Sequence, residues 1–322
     1  MITRRHALAA AATGLAARSA SAQARYPDKP VRLIVPFGPG GLADLTARIV
    51  GERLGQALGQ QVIIVNQPGA GGVAAARAAL GSPPDGYTLI LFTNGTAISV
   101  PLFKELGYDP VTQFMPVSSL GFFDFLLLTS AEHPYKSLGD FLADAKARPG
   151  VLNIGTINVG SSQNLSASLF KSMAGIDAAI VPFRTSSDTV TALLRRDVDL
   201  VIDGYAAAKS MMAEGKLRAL ATSGASRFAG LADVPAVAES GVPGFDVTSW
   251  NGIFAPAGAP LAAVQTLNAA VQSALADAGV RQRLIDLGIE PKGGTPASIG
   301  ERLKTDIARW GEIIRISGLS QQ

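Results

Sequence analysis

Cysteine is absent from the sequence and histidine is scarce. None of the 322 residues is cysteine, which excludes disulfides, thiolate metal sites, a cysteine nucleophile and a lipid anchor on an N-terminal cysteine. The two histidines are His6 and His133, and no H-E-x-x-H, paired-histidine or EF-hand spacing occurs. We therefore expect no bound metal and no cofactor.

Signals of catalysis are equally few. No G-x-S-x-G nucleophile elbow is present, and a serine–histidine–aspartate triad would have to use His133, which precedes Pro134 in a predicted loop. The sequence therefore predicts a protein that is not an enzyme. An exported enzyme that works with cleft carboxylates stays open as an alternative, since acidic residues are spread along the chain.

Excess charge of one sign and long apolar runs are also missing once the first 24 residues are set aside. Those residues hold three of the 28 basic side chains and no acidic one, so 25 basic residues face 25 acidic residues in the remainder. A neutral chain without a basic run is a poor partner for nucleic acid or anionic lipid. No later segment is long and apolar enough to span a bilayer, so we expect no stable membrane anchor.

The first 24 residues have the pattern of an export signal. Arg4 and Arg5 precede a short alanine-rich run, and the small residues that follow fit cleavage after Ala22 or Ala24. The run is too short and too interrupted for a transmembrane anchor. The segment fits both Sec and twin-arginine export, and we expect a periplasmic protein.

What the chain does contain is a regular alternation of strands and helices. Its composition, 48% hydrophobic and 16% charged, suits a globular protein with room for two cores. The alternation predicts an α/β fold with mostly parallel sheets. The chain is expected to cross twice between two lobes, with residues 25–125 and 248–322 in lobe I and residues 126–247 in lobe II. Strands are predicted within 31–37, 61–72, 87–93, 119–130, 151–156, 179–183, 198–203, 217–223 and 248–256.

The first strand runs into a glycine-rich loop, Gly38-Pro39-Gly40-Gly41-Leu42-Ala43, which matches the dinucleotide pattern G-x-G-x-x-A. A nucleotide site is disfavoured, because Asn66 stands where an acid would hold the ribose and Pro39 lacks an N–H for phosphate. A helix that starts after Gly41 offers unpaired N–H groups to some other anion. The alternative is that the glycines only form a turn and that Asp44 caps the helix.

Three similar junctions follow other strands: Thr93-Asn94-Gly95-Thr96, Gly160-Ser161-Ser162 and Thr185-Ser186-Ser187. Each places hydroxyls or amides where a strand ends and a helix begins, the position of ligand sites in open α/β sheets. Each can equally be an ordinary helix cap. Together with the glycine loop they predict a cleft that holds a carboxylate through hydroxyls and backbone N–H groups.

Four further side chains each have two open interpretations. Asp203 ends a strand and either accepts a ligand hydrogen bond or forms a turn. Arg184 either pairs with a second carboxylate or lies on the surface. Phe37 and Trp250 either wall the cleft or belong to the core.

An ordered set of motifs resembles the Bug family, the extracytoplasmic solute-binding components of tripartite tricarboxylate transporters. The likeness covers nearly the whole chain after the leader. Each motif is weak alone, but their order makes the set specific. The motifs are YPDKPVRLIVPFGPGG, VNQPGAGG, PPDGYTL, VPFRTSSDTVTALLRRDVDLVID, GKLRALATS, DVPAVAESGVPGF and TSWNGIFAPAGAP.

The resemblance implies a two-lobed periplasmic binding protein of type II, a Venus flytrap, that binds a small organic acid and delivers it to a large and a small membrane subunit. A ligand sensor for a membrane signalling protein would use the same cleft and stays open as an alternative. A monomer is expected. The implied ligand-binding residues are Phe37, Gly38, Pro39, Gly40, Gly41, Leu42, Ala43, Asp44, Thr93, Asn94, Gly95, Thr96, Gly155, Thr156, Asn158, Gly160, Ser161, Ser162, Thr185, Ser186 and Asp203.

This sequence departs from the family pattern at the cleft. The family loop reads P-P-G-G followed by small polar residues, whereas Gly38 replaces the first proline and Leu42-Ala43 replace the polar pair. Gln163-Asn164 stand where Ser/Thr-His is frequent, and Gly204 stands where Asn is common. The loss of hydroxyls disfavours a simple C4 dicarboxylate. It favours a larger or aromatic acid whose apolar body contacts Leu42.

Overall fold

The computed structural model describes residues 26–159, 161–227, 231–317 and 321. The predicted export signal and Gly160 lie outside these residues. In the described part the strands are β1 (Val31–Val35), β2 (Val62–Asn66), β3 (Thr88–Thr93), β4 (Phe114–Ser130), β5 (Asn153–Ile157), β6 (Ala179–Phe183), β7 (Leu200–Gly204), β8 (Leu217–Thr222), β9 (Thr248–Pro256) and β10 (Glu290–Pro291). The helices are α1 (Leu42–Leu58), α2 (Val73–Leu80), α3 (Asn94–Leu102), α4 (Leu138–Ala147), α5 (Ser162–Ala174), α6 (Ser186–Arg195), α7 (Tyr205–Ala213), α8 (Leu261–Ala276), α9 (Ala278–Ile285) and α10 (Pro296–Ser317).

The strands form one continuous mixed sheet that is divided between two lobes. In the first lobe, β1 lies parallel between β2 and β3, and β9 joins β3 to the first half of β4 in antiparallel pairing. In the second lobe, β5 lies parallel between β6 and β7, and the second half of β4 pairs antiparallel with β7 and β8. The predicted α/β fold is confirmed. The middle of the sheet is antiparallel because β4 and β9 carry the chain in opposite directions between the lobes.

Strand β4 is shared by both lobes. Up to Asp124 it pairs with β9, whose first residue Thr248 lies opposite Asp124, and from Phe125 onward it pairs with β7 and β8. Ser223 ties this crossing together. The Phe125 N–H donates to Ser223 Oγ at 2.8 Å, and the Ser223 hydroxyl donates to the Val247 carbonyl at 2.7 Å. Extended segments that meet at one point can absorb the rotation of one lobe against the other.

Apolar helix faces build the cores on which the lobes depend. In the first lobe, Val50 and Leu54 of α1 and Leu267 and Val271 of α8 follow the i, i+4 spacing of one helix face and are fully buried in the same cluster. Burial of each such side chain contributes about 1.5–3 kcal/mol. Among the described residues, no helix combines the length and the apolar character needed to cross a bilayer.

Candidate functional site

Each of the six parallel strands is followed by a helix, so that α1, α2 and α3 begin at the carboxyl ends of first-lobe strands and α5, α6 and α7 at those of second-lobe strands. The two sets of ends meet between the lobes. A β-carbon at Gly38 would lie 3.0 Å from Thr185 Cγ2, and one at Gly41 would lie 3.4 Å from Ser186 Oγ. Because every helix N-terminus carries partial positive charge, a space bordered by several of them attracts anions.

Two cavities adjoin each other between the lobes. The main cavity has a volume of about 420 Å³ and the side cavity one of about 250 Å³, each including its opening to solvent. Phe37 lines both of them. The alternative that Phe37 belongs only to the core is therefore excluded.

Most of the residues predicted for the site border one of these cavities. The main cavity is lined by Phe37, Gly38, Gly41, Leu42, Ala43, Thr93, Ser162, Thr185 and Ser186, and the side cavity by Gly95, Thr96, Asn158 and Ser161. Neither cavity is lined by Pro39, Gly40, Asp44, Asn94, Gly155, Thr156 or Asp203. Gly160 lies outside the described residues.

The residues away from the cavities have structural partners. Asn94 Oδ1 accepts a hydrogen bond from the Trp310 indole at 3.0 Å. Thr156 Oγ1 accepts one from Asn164 Nδ2 at 3.1 Å. A β-carbon at Gly155 would lie 3.0 Å from Val201 Cγ2, so this glycine permits tight packing inside the second lobe. These residues therefore contribute hydrogen bonds and packing around the site without lining either cavity.

Sequence reasoning missed several residues that line the main cavity on the two crossing strands. They are Phe123 and Phe125 on β4 and Ser249 and Asn251 on β9. In each pair the residues are two positions apart, so alternation along a strand places both on one face. That alternation could have shown that the two residues of each pair share a face, but not that this face meets the cleft. Trp250, between the β9 pair, is fully buried and donates to Asp306 Oδ2 at 2.7 Å, which assigns it to the core.

Three of the predicted hydroxyls act as helix caps. Thr93 Oγ1 accepts from the Gly95 N–H, Ser161 Oγ from the Asn164 N–H, and Thr185 Oγ1 from the Asp188 N–H. The capping interpretation is therefore correct for them, and Thr93 and Thr185 line the main cavity at the same time. Helix α1 differs, because its N-cap is Gly41 and no side chain caps it. Its first N–H groups stay available to a ligand.

Asp44 does not cap α1, contrary to one of the two sequence interpretations. Its Oδ2 accepts hydrogen bonds from the Gly40 N–H at 2.9 Å and from Arg48 Nε at 3.0 Å, and its Oδ1 accepts one from Asn66 Nδ2 at 2.9 Å. Gly40 adopts φ +87°, which favours glycine, so Asp44 fastens a loop whose backbone requires glycine at this position. Burial alone would raise the pKa of Asp44, but the hydrogen bonds from Arg48, Gly40 and Asn66 outweigh it and lower the pKa.

Replacement of Asp44 by asparagine is expected to destabilise the protein by about 1–2 kcal/mol at neutral pH, because a charged hydrogen bond to Arg48 and the acceptor for Gly40 are lost or weakened. The lowered pKa means that this stabilisation is complete above the ordinary value of 3.8 and disappears as the pH falls through the folded-state value. Thermal melts between pH 7 and pH 3 measure it. Glu52→Gln, on the exposed side of the same helix, is the matched control and should change little.

Asp203 lies behind the main cavity and is 1% exposed. Its carboxylate accepts hydrogen bonds from the Gly204 N–H at 2.8 Å and Gln163 Nε2 at 3.2 Å. The Thr189 hydroxyl lies 3.1 Å from it and is shared with the Ser186 carbonyl at 2.7 Å. Burial raises the pKa of Asp203, and the hydrogen bonds from Gly204, Gln163, Ser186 and Thr189 only partly offset that rise. The side chain therefore ties the end of β7 to α5, α6 and α7.

Leu42 reaches across the cleft. It is 5% exposed at the start of α1, and a β-carbon at Gly204, on the second lobe, would lie 2.5 Å from Leu42 Cγ and closer still to its Cδ1. Ser249 Oγ and Ser162 Oγ form a second contact between the lobes at 3.3 Å. The Gly71 N–H donates to the Val159 carbonyl at 3.4 Å. These contacts describe lobes that are closed on each other.

The polar groups of the main cavity are mostly neutral. Among the described residues, Arg184 is the only charged one that lines it. Arg184 is exposed, its carbonyl oxygen would lie 3.2 Å from a β-carbon at Gly38, and it forms no ion pair with any of those residues. The buried Ser186 Oγ interacts with the Asp203 carboxylate, whereas Asn251 Oδ1 is buried and has no hydrogen-bond partner in the described part of the chain. Buried polar atoms of this kind mark a place where a bound molecule supplies the partner.

The family model described as "Tripartite tricarboxylate transporter family receptor", TctC, matches residues 46–319. Protein BugT of Bordetella pertussis is 33% identical over 295 residues, which cover 91% of this chain and 90% of BugT. Two solved structures from Rhodopseudomonas palustris are each 35% identical. Rpa4515 with adipate has a TM-score of 0.87 and covers 92% of this chain and 99% of its own, and MatC with bound malate has a TM-score of 0.85 and covers 90% and 100%.

Proposed function

Because the chain belongs to the TctC family of tripartite tricarboxylate transporter receptors, we propose that its cleft captures a small organic anion for delivery to a tripartite membrane transporter. Proteins of this family, the Bug proteins among them, are periplasmic solute-binding proteins. The two solved relatives hold adipate and malate, which are both dicarboxylates. A carboxylate is therefore the ligand class that we propose for this chain.

The observation that carries the proposal is the electrostatic character of the main cavity. Among the described residues, its one charged lining residue is Arg184, which is exposed, and uncapped N–H groups of α1 border it on the opposite lobe. An anion can accept hydrogen bonds from the α1 N–H groups of the first lobe and form an ion pair with Arg184 of the second. A ligand that bridges both lobes stabilises their closed arrangement by its differential affinity for it.

Apolar side chains on the remaining walls refine the proposed ligand. Phe123 and Phe125 meet edge to face with ring centroids 5.6 Å apart, and Leu42 and Ile157 also line the cavity. These groups offer no hydrogen bonds to a short diacid but pack well against a hydrocarbon body. We propose an organic acid larger than a C4 dicarboxylate, aliphatic or aromatic.

Further parts of the proposal concern the protein's setting. We propose cleavage of the leader near Ala22 or Ala24, a monomeric periplasmic protein, and delivery to a large and a small membrane subunit. The proposed lobe boundaries are residues 25–125 with 248–322 and residues 126–247. The pairing of Asp124 with Thr248, where β4 changes partners, supports a boundary at that point.

A thermal-shift screen of the chain from Arg25 onward tests the proposal. Aliphatic and aromatic mono-, di- and tricarboxylates are compared with amino acids, sugars and nucleotides. A ligand at ~100 times its Kd stabilises the fold by about 2.7 kcal/mol, which gives a shift of several degrees. A shift with a subset of carboxylates is expected. A response confined to sugars or nucleotides would contradict the proposal.

Arg184→Gln is expected to weaken the binding of a dicarboxylate such as adipate about 10-fold, because a charged partner for the second carboxylate is lost. A monocarboxylate of equal length should lose less. Isothermal titration calorimetry at two salt concentrations measures both affinities. Arg195→Gln removes the same charge at the far end of α6 and is the control that should leave both unchanged. Equal losses in the two variants would show that Arg184 acts only through net charge.

A further inference from the structure

Asn251 is a buried amide whose orientation can be worked out from its neighbours. It lies on β9 opposite Thr93, is 0% exposed and lines the main cavity. One end of its side chain lies 2.9 Å from Thr46 Oγ1, in the first turns of α1. The other end has no hydrogen-bond partner among the described residues.

The hydroxyl of Thr46 decides which end of the amide faces which way. Thr46 Oγ1 lies 2.6 Å from the Leu42 carbonyl oxygen, and a carbonyl cannot donate, so the hydroxyl proton points at Leu42. Thr46 Oγ1 can then only accept from Asn251, which requires the amide nitrogen at that contact. The carbonyl oxygen Oδ1 is therefore the end that can accept a hydrogen bond from a ligand in the cavity.

An acceptor in this position discriminates between ligands. A carboxylate oxygen repels Oδ1 and an apolar carbon leaves it unsatisfied, whereas a hydroxyl or an amine can donate to it. Ser186 Oγ, a buried hydroxyl on a residue that also lines the main cavity, can both donate and accept and so does not discriminate. Because Thr46 and Leu42 belong to the start of α1, the donor lies close to a carboxylate held by the α1 N–H groups.

Building on the proposed function, we infer that the cleft selects organic acids that carry a hydroxyl or an amine near the bound carboxylate, and that Asn251 is the residue that receives this donor. Thr46 is a positioning residue that does not line the cavity. It acts by holding the amide of Asn251 in one orientation. The specificity thus depends on a relay from the Leu42 carbonyl through Thr46 to Asn251.

Calorimetric titration with matched pairs of acids tests the inference. The pairs are malate with succinate, 2-hydroxyglutarate with glutarate, and 3-hydroxyadipate with adipate; aspartate and glutamate add an amine. For the pair that fits the cavity, the hydroxylated or aminated acid should bind about 10- to 100-fold more tightly than its parent. Equal affinities within every pair would overturn the inference and leave the proposed function standing. No binding by any acid would reject the proposed function and the inference with it.

Thr46→Val distinguishes an orienting role of Thr46 from a purely structural one, because only the orienting role affects the preference within a pair. Valine has a similar shape but neither holds nor orients the amide, so Asn251 can turn its nitrogen toward the cavity. The preference within a pair should fall to about 3-fold or less, largely through better binding of the parent acid. Ser166→Ala removes a comparable buried hydroxyl bond, to Ser162 at the start of α5, and should keep the preference. Equal weakening of both acids by Thr46→Val would contradict the relay.

Discussion

Gly204→Ala is expected to weaken ligand binding about 10- to 100-fold with little effect on the folding of either lobe. The added β-carbon would lie 2.5 Å from Leu42 Cγ, and Leu42 is too closely packed to turn away freely. Overpacking of this kind costs about 1–3 kcal/mol. Gly204 has φ −74° and ψ 154°, which alanine adopts without strain, so the cost is steric and falls on lobe closure.

A double-mutant cycle identifies the cause of that loss. Leu42→Ala removes the side chain that the new methyl group would strike. Gly204→Ala should therefore cost much less affinity in the Leu42→Ala background than in the wild type. Calorimetry gives the affinities, and small-angle scattering reports whether ligand still closes the lobes. Gly139→Ala, inside α4, is the control. Additive losses across the cycle would show that Leu42 and Gly204 do not oppose each other.

The Leu42–Gly204 contact connects two departures from the family pattern that the sequence shows only separately. The two residues lie in different lobes and far apart in the chain, and each departure alone indicates only a lost polar group. The structure shows that the missing β-carbon at Gly204 makes room for the larger side chain at Leu42. A contact between distant segments has no local pattern, so a single sequence cannot reveal it.

Local patterns did predict the framework of the site. Alternation of strands and helices predicted the α/β fold, and most of the strand-to-helix junctions singled out in the sequence border the two cavities. Polar residues at such junctions have two uses, however. Asn94 serves Trp310 and Thr93 serves both the α3 cap and the cavity, and nothing in the sequence separates these cases.

The crossing strands show a different limit of sequence reasoning. Phe125 and Asn251 line the main cavity from the interior of strands, away from any strand-to-helix junction in the sequence. Their alternation predicts which residues share a face but not which face meets the cleft. That depends on the antiparallel pairing of β4 with β9, which is a property of the assembled sheet.

Asp203→Ala is expected to destabilise the protein by about 3–5 kcal/mol, the largest loss of stability among the changes considered. It leaves the Gly204 N–H and Gln163 as buried donors without their acceptor, at about 1–3 kcal/mol each before relaxation, whereas Thr189 keeps the Ser186 carbonyl as its acceptor. Asp203→Asn keeps one acceptor oxygen and removes a costly buried charge, so its loss should be smaller. Urea unfolding at pH 7 measures both variants.

The pH dependence of Asp203→Asn tests the same account with a defined sign. Because burial raises the pKa of Asp203 above its ordinary value of 3.8, the folded state binds the proton more tightly than the unfolded state does. The wild type should therefore gain stability relative to the asparagine variant as the pH falls through the folded-state pKa, and the gain should level off below 3.8. A difference that shrinks on acidification would instead indicate a carboxylate stabilised by its charge.

If Asp203 only positions α5, α6 and α7, the order of acid affinities should be the same in the variant, whereas a direct ligand contact would reorder them.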